Sequence, residues 1–202
     1  GIKVTNYVKA ETATEVSKMY DAIFERASQM NFLRGEAFTL SGEFLDRGSM
    51  TWDELYLVPK NEATLQRQVE RINELGCDME SRGLMLMGPP GTGKTTIGRV
   101  VMNEAKDATF VWVSARDFYR AGSYGAFTQA FDIAAECAPS IVFFEDVDNW
   151  INENVVDLLK TEMDGLKRRK GITTILTTNF PELMPSALID RPGRFHDIVE
   201  VA

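Results

Sequence analysis

The chain has 202 residues, 44% hydrophobic and 26% charged, and 22 basic against 30 acidic residues give a net charge of −8. That length supports one substantial core of ordinary globular composition, and the acidic balance argues against a protein that coats nucleic acid. A lone histidine, His196, and two distant cysteines, Cys77 and Cys137, argue against His-rich metal centres, a zinc site and a disulfide framework. No apolar run approaches the roughly 20 residues that span a bilayer, and no signal pattern opens the chain, so a cytoplasmic protein is expected.

In chain order, the apolar spacing of Val16, Met19, Tyr20, Ile23, Phe24, Ala27 and Met30 predicts a helix over 13–30. Asn31–Met50, with Gly35, Gly42 and Gly48 among Phe32, Phe38, Phe44 and Leu45, reads as irregular connection with some buried aromatics. Residues 1–50 are therefore expected to be a helical leader or the remnant of an N-terminal region, and 51–202 the chemical domain. A second amphipathic helix is predicted over Asn61–Leu75, with Leu65, Val69 and Ile72 on one face. Short apolar runs then alternate with helix-period segments. Strands are predicted at Gly83–Met87, Thr109–Val113, Ile141–Glu145, Ile172–Thr177 and Ile198–Val201, with helices at Lys94–Ala105, Ala126–Cys137 and Val155–Leu166. Nearly continuous apolar strands separated by helices imply an α/β fold with a parallel sheet covered on both faces.

Between the first of these strands and its helix stands Gly88-Pro89-Pro90-Gly91-Thr92-Gly93-Lys94-Thr95, which fits G-x-x-x-x-G-K-[ST]. Glycines let backbone N–H groups turn inward around phosphate oxygens, and the helix N-terminus adds its positive dipole end. Lys94 is placed to reach the β- and γ-phosphates, and the Thr95 hydroxyl to ligate Mg²⁺; Thr96 continues the first helical turn beside them. The candidate cofactors are ATP and Mg²⁺. The strand Ile141-Val-Phe-Phe runs into Glu145-Asp146-Val-Asp148. Carboxylates at the C-terminal edge of a parallel strand face the ligand crevice, where one can join the Mg²⁺ shell and another can orient or deprotonate the attacking water. Capping of the following turn is the alternative, and it suits Asp148 best.

At these residues the chain resembles the AAA branch of the AAA+ ATPases, over roughly Thr51 to Val201. Arg82–Thr95 matches the family's Walker A neighbourhood, and Thr51-Trp-Asp-Glu-Leu55 resembles the motif that leads into the domain. Leu158-Leu-Lys-Thr-Glu-Met-Asp-Gly165 and Ile175-Leu-Thr-Thr-Asn179 match the helix and sensor-1 strand. Ala187-Leu-Ile-Asp-Arg191-Pro-Gly-Arg194-Phe195 matches the second region of homology. The resemblance implies a P-loop three-layer sandwich with a five-stranded parallel sheet ordered 5-1-4-3-2. It implies that Asp53 and Leu55 lie near the adenine and that Asn179 is the sensor-1 residue. Arg191 and Arg194 resemble arginine fingers that act on a neighbouring subunit's ATP, so a ring homo-oligomer, a hexamer, is implied, with a protein substrate. Surface ion pairing is the alternative for both arginines.

The chain departs from the family twice. Most members end the Walker B strand Asp-Glu, whereas here the order is Glu145-Asp146, as in the Bcs-like branch. An Asp at the water-activating position is one methylene shorter, which leaves slow turnover open. The last expected strand ends beside Ala202, so the chain is expected to be a core cut from a longer protein, without the helical lid. Phe118–Gly125 stands where the family's remodellers carry an aromatic pore loop. There Tyr119 or Tyr124 either grips a threaded polypeptide or is simply packed or exposed. The run Lys167-Arg-Arg-Lys170 is read as a solvated loop, with a partner or nucleic-acid contact as the lesser alternative. Three functions are weighed: an ATP-driven macromolecular remodeller, an ATP-dependent assembly switch with marginal hydrolysis, and, less favoured, a nucleic-acid-dependent loader.

Overall fold

A computed structural model describes residues 31–166, 170–189 and 195–201. The helix expected over 13–30, the basic residues 167–169, and Arg191 and Arg194 lie outside the described residues. The chain divides into two units, Gly1–Phe32 and Leu33–Ala202. In the second, the elements are β1 (Ala37–Thr39), α1 (Pro59–Leu75), β2 (Arg82–Met87), α2 (Lys94–Glu104), β3 (Thr109–Val113), α3 (Ala115–Glu136), β4 (Ser140–Phe144), α4 (Glu153–Leu166), β5 (Ile172–Thr178), α5 (Ser186–Ile189) and β6 (Phe195–Glu200).

All paired strands are parallel, in the order β1-β3-β4-β5-β2-β6. The five expected strands take the expected order, and β1 adds a sixth at the edge. β3, β4 and β5 are buried at every position, which accounts for their unbroken apolar or threonine-rich sequences. Side chains alternate between two cores. Leu84, Leu86, Phe110, Ile141, Phe143 and Ile175 face α1 and α2. Met85, Val111, Val113, Val142, Phe144 and Leu176 face α3 and α4. The sheet with its two helical layers is the expected three-layer sandwich.

Two expectations are corrected. Asn31–Met50 is not merely connection: Ala37–Thr39 pairs with Phe110–Trp112. The Phe110 N–H donates to Glu36 O and the Leu40 N–H to Trp112 O, both at 2.9 Å. Three residues are too few to display a period of two, so the pattern was invisible in sequence. Phe118–Gly125 is not a loop but part of α3, which begins at a Ser114–Asp117 capping box and breaks at Gly122 (φ 71°, ψ 158°). Tyr119 and Tyr124 remain 81% and 56% exposed. They therefore stand on helix on either side of that break.

Arg47 fastens the N-terminal stretch of this unit to the end of α2 and to the turn that leads into β3. Its guanidinium donates to the carbonyls of Met102, Ala105 (3.0 Å), Gly35 (2.9 Å) and Ala108 (2.6 Å). Two of these carbonyls belong to the end of α2, where a cation also meets the negative end of the helix dipole. Burial lowers the proton affinity of Arg47, and the charges of Glu36 and Asp107 oppose that shift. Arg47→Ala removes the charged donor from these four carbonyls, although Ala105 O still accepts from the Ala108 N–H, and is expected to cost about 3 kcal/mol, given 1.5–3 kcal/mol for a charged hydrogen bond. Arg47→Lys should recover little of it, because an ammonium cannot span the fork. The urea midpoint measures both, and a loss under about 1 kcal/mol in Arg47→Ala would remove the clasp from this account.

Candidate functional site

Parallel strands in register bring their C-terminal ends to one edge. Met87 is paired with Thr178, Phe144 with Leu176 and Val113 with Phe144. The residues that follow these ends, Gly88, Asn179, Glu145 and Ser114, therefore gather along that edge.

Gly88 leaves β2 at φ 156°, and a Cβ there would lie 1.9 Å from the Val201 carbonyl oxygen. Only glycine lets β2 turn out of the sheet beside the end of β6. Gly91 (φ 82°) and Gly93 (φ 99°) adopt left-handed backbone, and the Gly93 carbonyl accepts the first bond of α2 from the Ile97 N–H at 2.9 Å. The Thr92 hydroxyl donates to Pro89 O at 2.9 Å across the turn, while Pro90 stands exposed. Lys94 is buried, and its ammonium donates to Gly88 O at 2.5 Å and Pro89 O at 2.8 Å. Burial lowers the Lys94 proton affinity, and the charges of Asp146 and Asp148 oppose that shift. Behind the loop, Gly98 packs α2 tightly on β4, where a Cβ would lie 2.6 Å from the Phe143 ring.

The two acids beyond β4 are held differently. The Glu145 N–H is tied to Val113 O at 2.8 Å. Glu145 Oε1 accepts from the Thr95 hydroxyl at 2.6 Å, and Oε2 accepts from the Trp112 indole N–H at 3.0 Å. Asp146 sits at φ 48°, a left-handed conformation that Asp tolerates better than most side chains. Its N–H donates to Thr177 Oγ1 at 2.8 Å, and its Oδ1 accepts from the Asn179 amide at 3.1 Å. Burial raises the Asp146 proton affinity, with the Glu145 charge adding to it, while the Asn179 hydrogen bond pulls the other way. A carboxylate with raised proton affinity and one oxygen oriented is suited to take a proton.

Asp148 accepts from the Thr178 hydroxyl, from the Asn179 N–H at 3.1 Å and from the Phe180 N–H at 3.3 Å. It therefore caps the turn after β5 that presents Asn179, a structural task like the capping alternative given for it. Thr95, Glu145, Asp146 and Asn179 thus converge, with Lys94 at the base of the loop. Leu55 lines a cleft of about 430 Å³ together with Glu54, Tyr56, Leu57, Gly91, Thr92, Gly93, Thr96 and Ile97. Asp53 is exposed and outside that lining. Reading along the chain missed Trp112 and Thr177. Trp112 stands near the end of β3 with no motif around it, and Thr177 lies within the Ile175–Asn179 segment with no role of its own assigned; only strand order brings each to an acid just beyond β4.

Among the described residues, no three His, Cys, Asp or Glu side chains cluster to hold a metal ion. Thr95 Oγ1 and Glu145 Oε1 instead supply two adjoining hard oxygens beside a phosphate-type loop. That donor chemistry fits Mg²⁺ shared with a nucleotide. Among the described residues, no helix is long and apolar enough to cross a membrane.

Comparison with known proteins follows the same lines. The model for "ATPase family associated with various cellular activities (AAA)" matches residues 84–202, more than half of the chain. Protein CdcH of Halobacterium salinarum is 32% identical over 173 residues, covering 75% of this chain and 23% of that protein. Proteasome-activating nucleotidase of Pyrococcus furiosus is 30% identical over 186 residues, covering 80% of this chain and 46% of its own length. Cell division control protein 48 homolog B of Arabidopsis thaliana is 28% identical over an alignment of 233 residues, covering 99% and 38% respectively. The chain thus spans less than half the length of each of these relatives. The crystal structure of the FIGL-1 AAA domain superposes with a TM-score of 0.60 at 23% identity, over 75% of this chain and 55% of that one, a likeness of fold.

Proposed function

Because the chain belongs to the AAA ATPase family and so to the nucleotide-binding ATP hydrolases, we propose that its site cleaves MgATP with the following division of labour. The loop Gly88–Gly93 wraps the phosphates with backbone N–H groups, and Lys94 and Thr96 complete the cradle. The adenine lies toward Leu55, with Asp53 at the margin of that region. Thr95 and Glu145 hold Mg²⁺, which when bound neutralises charge on the phosphates. Asn179 keeps Oδ1 of Asp146 oriented, so that Oδ2 accepts a proton from water as its oxygen attacks the γ-phosphorus. The bond to the bridging oxygen breaks and ADP leaves. The observation that carries this reading is the paired arrangement Thr95–Glu145 and Asn179–Asp146 at the mouth of one glycine loop.

The domain that performs this chemistry is read as 51–202, with 1–50 outside the chemistry. At the level of the whole protein, the reading is a cytoplasmic ring homo-oligomer, a hexamer, that remodels proteins. Support comes from relatives whose names speak of proteasome activation and of ATP-dependent proteolysis, such as FtsH of Synechococcus. Arg191 and Arg194 then complete the neighbour's site, so turnover depends on assembly. Turnover per subunit should rise with protein concentration, and Arg191→Ala should flatten that rise and lower its plateau by about 10³-fold, the scale of a trans arginine. Steady-state assays across a concentration series check it. A wild-type curve in Arg191→Ala would remove Arg191 from the neighbour's site, and a marginal wild-type turnover that does not rise with concentration would favour the assembly switch over the motor.

A further inference from the structure

Glu145 carries one more methylene than the aspartate usual at its position in the family it resembles, and that extra length has a structural counterpart. A glutamate at a strand end has its backbone fixed, here by the bond to Val113 O, but its side-chain torsions are free, and the last is broad and two-fold. One bond from Thr95 to Oε1 leaves the carboxylate able to swing or to exchange its oxygens. The second bond, from the Trp112 indole to Oε2, removes that freedom. The donor is itself immobile. Trp112 is 8% exposed, and its ring lies 4.6 Å from that of Phe143 and 5.9 Å from that of Phe110. An indole N–H can only donate, so it selects a carboxylate oxygen and holds it.

We propose that Trp112 is the positioning residue for the metal-shell carboxylate: its indole holds Oε2 of Glu145, leaving Oε1 turned toward Thr95. The assignment rests on the reading of Glu145 as a Mg²⁺ ligand. The long acid is thereby preorganised by a tether from the neighbouring strand, as outer-shell donors orient metal-binding carboxylates elsewhere. The reversed acidic pair is thus compatible with an ordered metal site.

Trp112→Phe keeps an aromatic ring against Phe143 and removes the N–H. In the whole chain, a fluorescent ATP analogue should bind Trp112→Phe in EDTA within about twofold of wild type. The Mg²⁺ concentration that half-maximally strengthens that binding should rise by about tenfold, the lower end of outer-shell effects on metal affinity. A midpoint like that of wild type, or equal weakening with and without Mg²⁺, overturns the proposal. Glu145→Gln should shift the midpoint at least as far. If it does not, the premise about Glu145 fails and the proposal with it. In Glu145→Asp, one methylene shorter, adding Trp112→Phe should shift the midpoint no further, and a second tenfold shift overturns the tether. Should Trp112→Phe not fold, the indole N–H resonance of the wild-type protein, identified by substituting Trp52 and Trp150, should move when Mg²⁺ is added to the ATP complex. A resonance that does not move overturns the assignment.

Discussion

Asp146→Asn is expected to bind ATP as the wild type does and to turn it over about 10²–10⁴ times more slowly, the range for loss of a general base. The substitution is close to isosteric, and asparagine tolerates the left-handed backbone that residue 146 adopts at φ 48°. The bond to the Thr177 hydroxyl uses the backbone N–H of residue 146 and survives, and the amide oxygen can still accept from Asn179. Charge and proton-accepting capacity are therefore what the variant loses. Burial and the neighbouring Glu145 raise the Asp146 proton affinity, which suits a base and would be wasted on a purely structural acid. Equilibrium binding of a fluorescent nucleotide and a phosphate-release assay separate the two quantities. Unchanged turnover would remove Asp146 from the chemistry.

The second large effect belongs to Lys94. Lys94→Ala should weaken ATP binding by about a hundredfold or more, the scale of roughly 3 kcal/mol from lost charge-assisted bonds. The same variant should change folding stability by less than about 1 kcal/mol, because two effects oppose each other. Its ammonium bonds to Gly88 O and Pro89 O are lost. Relieved with them is the burial of a charge on a side chain only 5% exposed, a burial expressed in its lowered proton affinity. Lys94→Arg should not restore binding, since a planar fork does not substitute for a compact ammonium under the loop. Thermal unfolding beside nucleotide titration checks both halves. A large loss of stability with normal binding would mean that Lys94 holds the loop rather than the ligand.

Much of the fold was legible because buried parallel strands declare themselves. Thr109–Val113 and Ile172–Thr177 read as strands since every position is covered on both faces. The glycine loop was legible because its constraints are local: left-handed backbone at Gly91 and Gly93, and no room for a Cβ at Gly88. β1 was missed because three residues in a glycine-rich stretch carry no period, and it is a strand only by pairing with β3. The helical form of Phe118–Ala121 was missed for a related reason. Gly122 and Gly125 signal a loop, yet the Ser114–Asp117 capping box and the Phe118 ring, stacked 5.1 Å from that of Trp150, hold the first turns helical.

By itself, the sequence determined the α/β class and marked the phosphate loop and the acids after the apolar strand as candidates, because these follow from local backbone needs and residue chemistry, whereas Asn179 was marked only by resemblance to the family. The tertiary structure decided which partner each of those groups has. Glu145 is shared between Thr95 and Trp112, Asp146 is held by Thr177 and Asn179, and Asp148 is turned to the end of β5. Those pairs join residues 30 to 50 positions apart. Only the order β3-β4-β5-β2 brings their strand ends to one edge, and strand order is a property of the packed sheet rather than of any segment within it.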